Sequence, residues 1–185
     1  AMVSQHSSEW IAPNPSQLPD FIIGGAMKSG TTTLHKILAQ HPEVFLPEKE
    51  QHFFDFDNLF QHSAFNFFDK DEKRWIHNAM ARAPQKLWND YLNNFEGKEG
   101  YLKGEDSTTY LASPIAAKRM AMQPKNIKLL FILRHPTHRA YSQYFHLLRS
   151  GRAIFSFEDT LMFTPEKVLQ RSLYKEQLES YYEYF

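Results

Sequence analysis

The sequence predicts a three-layer α/β fold in which a central parallel sheet is flanked by helices. Short apolar runs alternate along the chain with amphipathic stretches, which is the pattern of parallel βαβ units. Polar, hydroxyl-rich and basic segments follow two of the predicted strands, Phe21–Gly25 and Ile127–Leu133. Because ligands of such sheets bind at the carboxyl ends of the strands, we expect both segments at one ligand-binding edge.

Size and composition predict one domain and exclude several classes of protein. The 185 residues suffice for a domain with its own core. Lysine plus arginine (21) equals aspartate plus glutamate (21), which argues against a nucleic-acid partner. The chain has no cysteine, no long apolar run and no signal-peptide pattern, so we predict a cytoplasmic protein without a membrane partner. Residues 1–19 are predicted to be an N-terminal arm or linker, and residues 20–185 the domain.

Short apolar runs between turn signals predict the strands. The run Ile127–Leu133 is continuous and is typical of a strand that is buried on both faces. The strands predicted in this way are Phe21–Gly25, Val44–Leu46 as a short strand or extended piece, Tyr101–Glu105 and Ile127–Leu133.

Prolines and helical periodicity predict the helices. Pro42 stops the first helix, whereas Pro114 and Pro136 suit the first turn of later helices. Inward-facing side chains are expected at Leu34, Ile37, Leu38 and His41 of the first helix, and at Tyr141, Tyr144, Phe145 and Leu148 of a later one. The predicted helices are Thr31–Gln40, two helices within Asp69–Phe95 broken near Pro84, Ser113–Met122, Pro136–Arg149, Phe157–Phe163 and Glu166–Phe185.

The segment Phe21–Leu34, FIIGGAMKSGTTTL, leads from a strand through a glycine-containing loop into a helix. Backbone N–H groups and the helix dipole favour an anion at such a helix start. Lys28 adds a mobile positive charge to this loop. Further hydroxyl or backbone donors are expected from Ser29, Gly30, Thr31, Thr32 and Thr33. We therefore predict a phosphate site with P-loop-like geometry.

The spacing of this loop differs from that of a Walker A motif, which has Gly, four residues and then Gly-Lys-Ser/Thr. Gly25 and Gly30 have the required separation, but Thr31 stands where the lysine belongs. A P-loop kinase of a small substrate is therefore a weaker alternative, for which Asp106 would have to serve as a magnesium ligand. A nucleotide-binding module without catalysis is the other alternative.

A second motif, RHPTHRAYSQY, runs from Arg134 to Tyr144. Arg134 is expected at a strand end and Ser142 roughly 9 Å further along the helix. Taken in order, GAMKSGTTTL and RHPTHRAYSQY resemble the 5′-phosphosulfate loop and the 3′-phosphate signature of sulfotransferases that use 3′-phosphoadenosine 5′-phosphosulfate (PAPS). The resemblance implies that Arg134 and Ser142 hold the 3′-phosphate, that adenosine 3′,5′-bisphosphate (PAP) is the product, and that no metal is needed.

The segment Leu46–Asp55, LPEKEQHFFD, is similar to the heparan-sulfate type of sulfotransferase and its bacterial relatives. The resemblance implies that Glu50 is the general base that takes the acceptor proton. His52 lies on the same side of an extended segment, where it orients Glu50, acts as the base itself, or simply packs beside its aromatic neighbours. Lys28 is expected to stabilise the charge that builds on the leaving phosphate oxygen.

The segment Glu105–Tyr110, EDSTTY, departs from the heparan-type pattern Glu-Lys-Thr/Ser-Pro-x-Tyr, because Asp106 replaces the lysine. This reversal argues against a strongly anionic polysaccharide acceptor. We predict an acceptor hydroxyl on a small molecule or on a hydroxyacyl chain bound to a carrier protein, as in bacterial polyketide biosynthesis. A sugar or glycan hydroxyl is the alternative. The aromatic ending Tyr181–Phe185 further predicts that the native protein continues, because such side chains are normally buried.

Overall fold

A parallel sheet forms the centre of the protein, which is described by a computed structural model over residues 8–58, 66–69, 71, 73–77 and 84–185. The strands are β1 (Phe21–Gly25), β2 (Val44–Phe45), β3 (Asn66–Asp69), β4 (Arg74–His77), β5 (Leu102–Asp106) and β6 (Lys128–Phe131). The helices are α1 (Thr31–Leu38), α2 (Pro84–Leu92), α3 (Pro114–Ala121), α4 (Pro136–Arg149), α5 (Phe157–Phe163), α6 (Glu166–Leu169) and α7 (Tyr174–Tyr182). None of the helices in these ranges is both long and apolar enough to cross a membrane.

The parallel sheet has the strand order β2-β5-β1-β6. Ile22 of β1 pairs with Glu105 of β5 on one side and with Leu129 of β6 on the other. Ile22 and Ile23 are fully buried, so β1 runs through the core. This arrangement confirms the predicted α/β fold and brings the ends of β1, β5 and β6 to one edge of the sheet.

β3 and β4 form a separate antiparallel hairpin, in which Phe67 pairs with Ile76 and Phe68 with Trp75. The prediction of a helix before Pro84 is therefore wrong at Arg74–His77. Aromatic and β-branched residues favour strands, and the pairing with Asn66–Asp69 outweighs the weak helical pattern. The rest of this stretch, up to Ala83, lies outside the described residues, whereas α2 begins at Pro84.

The buried faces of α1 and α4 differ from the predicted ones. In α1, Leu34 and Leu38 pack beside Phe21 and Ile23, but Ile37 is 60% exposed and His41, beyond the helix end, is exposed. α1 turns a narrow face made of Thr31, Leu34 and Leu38 inward, and it ends two residues earlier than predicted, at Leu38.

Of the four side chains of α4 that were predicted to face inward, only Tyr144 is buried. The other three, Tyr141, Phe145 and Leu148, are exposed. The helix is rotated so that the fully buried Arg139 faces inward, where it donates to the Val168 carbonyl and to Ser172 Oγ. Ser172 Oγ in turn donates to the Pro136 carbonyl, 3.2 Å away. In this orientation of α4, Arg139 reaches hydrogen-bond acceptors on Val168 and Ser172.

Two further predictions need correction. The Ile127–Leu133 run is only half-buried over Leu129–Phe131, because β6 pairs with β1 alone in the described sheet. The predicted helix Glu166–Phe185 is divided into α6, a short 3-10 helix at Gln170–Ser172, and α7. The break falls where Arg139 donates hydrogen bonds to the Val168 carbonyl and to Ser172 Oγ.

Residues 8–19, in the segment predicted as an arm or linker, pack against the domain. Trp10 and Leu18 are buried in the main core. Gln123 Nε2 donates to the Trp10 carbonyl at 2.6 Å, and Gln123 Oε1 accepts the Ala12 N–H at 3.0 Å. This segment therefore covers the end of the core that lies beside α3.

Candidate functional site

The loop between β1 and α1 is shaped as a phosphate cradle. Lys28 and Gly30 have positive φ angles of 66° and 101°, and Gly30 is suited to its position because residues with a Cβ rarely adopt that conformation. The Ser29 N–H donates to the Ala26 carbonyl at 3.1 Å, which closes a tight turn. Ser29 Oγ is buried and has no hydrogen-bond partner among the described residues. A phosphate oxygen would satisfy this hydroxyl together with the amide groups of the first helical turn.

The second motif lies directly against this loop. Arg134 Nη1 donates to the Lys28 carbonyl at 3.3 Å, and the Arg134 carbonyl accepts the Tyr174 hydroxyl at 2.9 Å. The exposed Arg134 side chain therefore follows the β6 end, as the sequence predicts. Ser142 is half-buried on α4, and its hydroxyl makes no hydrogen bond within the parts of the chain that are described. Of the two predicted 3′-phosphate residues, Arg134 thus lies directly against the loop.

Three basic side chains near Lys28 were missed by sequence reasoning. Burial lowers the pKa of Lys28, and the positive charges of Arg149 and Arg152 lower it further, while the charge of Glu50 opposes them. His146 Nε2 lies 3.1 Å from Arg152 Nη2, and burial together with Lys28 lowers the pKa of His146. Ser142, His146 and Arg149 share one face of α4 because they are four and three residues apart. In the sequence, the only sign of these three basic residues is the basic character of the end of α4.

Arg171 is a further cation at the loop. Its Nη1 atom lies 2.9 Å from Met27 Sδ. Burial lowers the pKa of Arg171, whereas the negative charges of Asp55 and Glu50 raise it. The sequence around Arg171 carries no sign that this side chain reaches the loop between β1 and α1.

Glu50 and His52 form a hydrogen-bonded pair opposite the loop. Glu50 Oε2 lies 3.0 Å from His52 Nε2, and the Thr108 hydroxyl donates to the carboxylate at 3.1 Å and 3.2 Å. Burial alone would raise the pKa of Glu50, but the hydrogen bonds from His52 and Thr108 outweigh it and hold that pKa below its usual value. Burial lowers the pKa of His52, and the Glu50 contact reverses this and raises it. The pair therefore favours a carboxylate beside an imidazolium.

A buried network holds the segment that carries Glu50 and His52. Ser107 Oγ accepts the N–H groups of Gln51 and His52 at 3.2 Å and 2.9 Å and donates to Glu105 Oε1 at 2.7 Å. The Tyr110 hydroxyl accepts the N–H groups of Phe53 and Phe54 at 2.8 Å and 3.1 Å. It also donates to Glu105 Oε1, 2.6 Å away, and Tyr91 donates to the other carboxylate oxygen. Glu105 at the end of β5 thus fixes the backbone after Glu50 through two hydroxyl groups.

We expect Tyr110→Phe to lower the free energy of unfolding by about 1–3 kcal/mol for each buried N–H group that it leaves without an acceptor. The Tyr110 side chain is fully buried, so water cannot replace the lost hydroxyl. Urea denaturation measures the change. Tyr101→Phe is the matched control, because its side chain is 43% exposed. Equal stability of Tyr110→Phe and the control would contradict the role of this network.

A cleft of about 490 Å³ lies beside Glu50, and its lining includes Thr32, His35, Lys36, Glu48, Glu50 and Asp106. Asp106 ends β5 and is only 6% exposed. Its Oδ2 atom lies 3.3 Å from His35 Nδ1. Burial and the nearby charge of Glu50 raise the pKa of Asp106 to about 7. No group of three or more His, Cys, Asp or Glu side chains within the described ranges is arranged to hold a metal ion.

Because of Asp106, we expect the free energy of unfolding to decrease as the pH rises from about 4 to 7. The folded state keeps the Asp106 proton up to about pH 7, whereas the unfolded chain releases it near 3.8. The folded state therefore binds more protons in this interval, and raising the pH favours unfolding. Denaturation from pH 4.5 to pH 8 should give a flatter profile for Asp106→Asn than for the unmodified protein. Parallel profiles would contradict this assignment.

The glycine-containing loop after β1 and the cleft lined by Glu50 and Asp106 both lie at the edge of the parallel sheet where ligands of α/β proteins bind. The family model described as "Sulfotransferase family" matches residues 19–183. The chain belongs to the sulfotransferase family. Members of this family are transferases that use PAPS as the sulfuryl donor.

Individual relatives agree with this family. The chain is 29% identical over 181 residues to heparan sulfate glucosamine 3-O-sulfotransferase 5 of Mus musculus, covering 91% of this chain and 45% of that protein. It is 32% identical over 127 residues to the membrane-associated sulfotransferase kil1 of Dictyostelium discoideum, covering 69% of this chain and 22% of that protein. The chain thus spans less than half the length of these relatives.

A solved structure shares the fold. The crystal structure of a sulfotransferase from Alicyclobacillus acidocaldarius superposes with a TM-score of 0.68 at 30% sequence identity. The match covers 91% of this chain and 69% of that one. The predicted family and fold class are both confirmed by these comparisons.

Proposed function

We propose that the protein transfers the sulfuryl group of PAPS to an acceptor hydroxyl, with Lys28 on the donor side and Glu50 on the acceptor side. The observation that carries this proposal is the placement of the two groups. Lys28 lies in the phosphate loop, whereas Glu50 lines the cleft. Burial and the charge of Arg149 lower the pKa of Lys28, and the negative charge of Glu50 offsets part of this lowering. A donor phosphate bound at Lys28 and an acceptor in the cleft would therefore meet between these side chains.

The donor would be held by the loop and by the second motif. Its 5′-phosphosulfate end fits the cradle of Lys28, the unpartnered Ser29 hydroxyl and the amide groups of Gly30 and Thr31–Thr33. Its 3′-phosphate fits Arg134 beside the loop, with Ser142 supplying a hydroxyl from α4. Arg149 and Arg152 would add positive charge that compensates the several negative charges of the donor.

The reaction needs a proton acceptor on the acceptor side of the site and a positive charge on the donor side. The acceptor oxygen forms a bond to sulfur while the bond from sulfur to the leaving phosphate oxygen breaks. Glu50 takes the acceptor proton, and Lys28 stabilises the negative charge that develops on the leaving oxygen. His52 holds Glu50 in place from 3.0 Å away, and in its protonated form it cannot itself accept a proton. We therefore assign the base to Glu50 and an orienting role to His52.

The relatives favour a sugar hydroxyl as the acceptor. Several of them are heparan sulfate glucosamine 3-O-sulfotransferases, whose names specify a hydroxyl of an amino sugar. A hydroxyacyl chain on a carrier protein, which the sequence favoured through Asp106, becomes the second candidate. A cytoplasmic location and a role in polyketide biosynthesis stay predictions.

An acceptor screen with PAPS tests the proposed function. Monosaccharides, phenols and a hydroxyacyl carrier protein are incubated with the protein and PAPS, and an added sulfuryl group is sought by mass spectrometry. We expect sulfation of at least one hydroxyl class, with one PAP released for each product. Transfer of phosphate from ATP to the same acceptors, without any use of PAPS, would support the kinase alternative instead.

A further inference from the structure

A side chain of the connection between α6 and α7, Arg171, reaches the loop between β1 and α1. Its Nη1 atom lies 2.9 Å from Sδ of Met27, the residue directly before Lys28. Lys28 has a positive φ angle of 66°, which a residue with a Cβ adopts at a cost and keeps only where neighbouring groups hold it. The contact from Arg171 is one interaction that holds the loop at this point.

The guanidinium group of Arg171 needs more than the sulfur atom of Met27. A thioether is a weak hydrogen-bond acceptor, and a cation that is partly removed from water requires opposite charges nearby. Arg171 is half-buried, and this burial lowers its pKa, whereas the negative charges of Asp55 and Glu50 oppose the lowering. Arg171 therefore interacts both with the phosphate loop and with the carboxylates of segment Glu50–Asp55, which we call the base segment.

Two tyrosines of α7 contact the same two parts of the protein through their hydroxyl groups. The Tyr174 hydroxyl donates to the Arg134 carbonyl at 2.9 Å, on the donor side of the proposed site. The Tyr181 hydroxyl donates to the Tyr110 carbonyl at 2.7 Å, and the Tyr110 hydroxyl accepts two N–H groups of the base segment. The α6–α7 connection and α7 thus contact both the donor side and the acceptor side of the proposed site.

We propose that Arg171 is a positioning residue that links the phosphate loop to the base segment, so that Lys28 and Glu50 act on the same reacting group. Without its guanidinium group, the loop would still bind the nucleotide, but Glu50 would be misplaced relative to it. A misplacement of about 1 Å can lower a rate by about 10²-fold. The effect on turnover rests on the proposed sulfuryl transfer, whereas the link itself is a property of the folded chain.

Hydrogen exchange tests the link without any substrate. Arg171→Met removes the charge and the donors but keeps a long side chain, and Lys167→Met is the matched control, because it removes a charge from an exposed residue of α6. Mass spectrometry follows the exchange of peptides that cover residues 21–34 and 46–56. In Arg171→Met, both peptides should exchange at least about threefold faster, because lost contacts make local opening easier. The control should match the unmodified protein.

Turnover tests the consequence for the reaction, with the monosaccharide, phenol or carrier protein that the acceptor screen finds to be sulfated. PAP release under saturating PAPS should show a kcat about tenfold or more lower in Arg171→Met, with PAP affinity reduced less than about threefold. Arg171→Lys keeps the positive charge and should retain more turnover than Arg171→Met. In a Glu50→Gln background, Arg171→Met should lower kcat by less than about threefold, because the base that it displaces is absent.

Unchanged exchange in either peptide of Arg171→Met would overturn the proposal. A loss of kcat that is equal in the two backgrounds, a loss of PAP affinity as large as that of kcat, or equal losses in Arg171→Lys and Arg171→Met would also overturn it. If urea denaturation shows that Arg171→Met is unfolded, Arg171→Gln takes its place. Faster exchange of both peptides in a chain that neither binds PAP nor uses PAPS would support the link and remove the proposed function.

Discussion

Lys28→Ala is expected to lower kcat by about 10²–10³-fold, the usual effect of removing one preorganised group that stabilises developing charge. Lys28 lies in the loop that would hold the leaving phosphate, where burial and nearby arginines already make its ammonium group costly to keep charged. Its strongest interaction is therefore expected with charge that appears during transfer rather than with the bound ground state. PAP release under saturating PAPS measures kcat, and calorimetric titration measures PAP affinity.

The affinity of Lys28→Ala for PAP should fall far less than kcat, because Arg134 and the amide groups of the loop remain. Lys175→Ala is a suitable control, since it removes the same charge from a side chain that is 80% exposed on α7. Equal losses in PAP affinity and in kcat would show that Lys28 serves mainly to bind the nucleotide, and would contradict its assigned role.

Glu50→Gln is expected to lower kcat by about 10²-fold or more, the usual contribution of a general base. Glutamine keeps the size of the side chain and still accepts a hydrogen bond from Thr108, whose hydroxyl lies 3.1 Å and 3.2 Å from the carboxylate oxygens. It cannot take the acceptor proton. The segment should stay in place, because the Ser107 and Tyr110 hydrogen bonds to its backbone are untouched.

The companion variant His52→Ala separates the two members of the pair. If His52 only orients Glu50, the variant should retain more turnover than Glu50→Gln, and PAP affinity should be equal in both. Near-normal turnover in Glu50→Gln together with an inactive His52→Ala would transfer the role of base to His52.

The features that the sequence predicted correctly are those with local causes. The glycine-containing loop marks the end of β1 and the start of α1. The proline in the first turn marks the start of α4, which has the predicted bounds Pro136–Arg149. The exposure of Ile37 and the inward turn of Arg139 have tertiary causes. These causes are contacts with residues that are distant in the chain, and the helical periodicity of apolar residues does not predict such contacts.

The same distinction holds at the candidate site. Lys28, Glu50 and Arg134 stand in recognisable local patterns, and the structure brings Arg134 against the loop and Glu50 against the cleft. The Thr108 hydrogen bond to Glu50 joins residues 58 positions apart, and the Arg171 contact with Met27 joins residues 144 apart. No local motif predicts either contact, because each depends on how the ends of β1 and β5 meet α1 and the α6–α7 connection.

The most direct test of the central claim is a calorimetric titration of the chain with PAP and, separately, with ATP and Mg²⁺. PAP should bind, and at a hundredfold excess over its Kd it should raise the free energy of unfolding by about 2.7 kcal/mol. ATP should bind far more weakly, because it has no 3′-phosphate for Arg134 and Ser142. Arg134→Ala should remove most of the preference for PAP. Equal binding of PAP and ATP, or a preference for ATP that depends on Mg²⁺, would contradict the assignment of this site to a PAPS-dependent sulfotransferase.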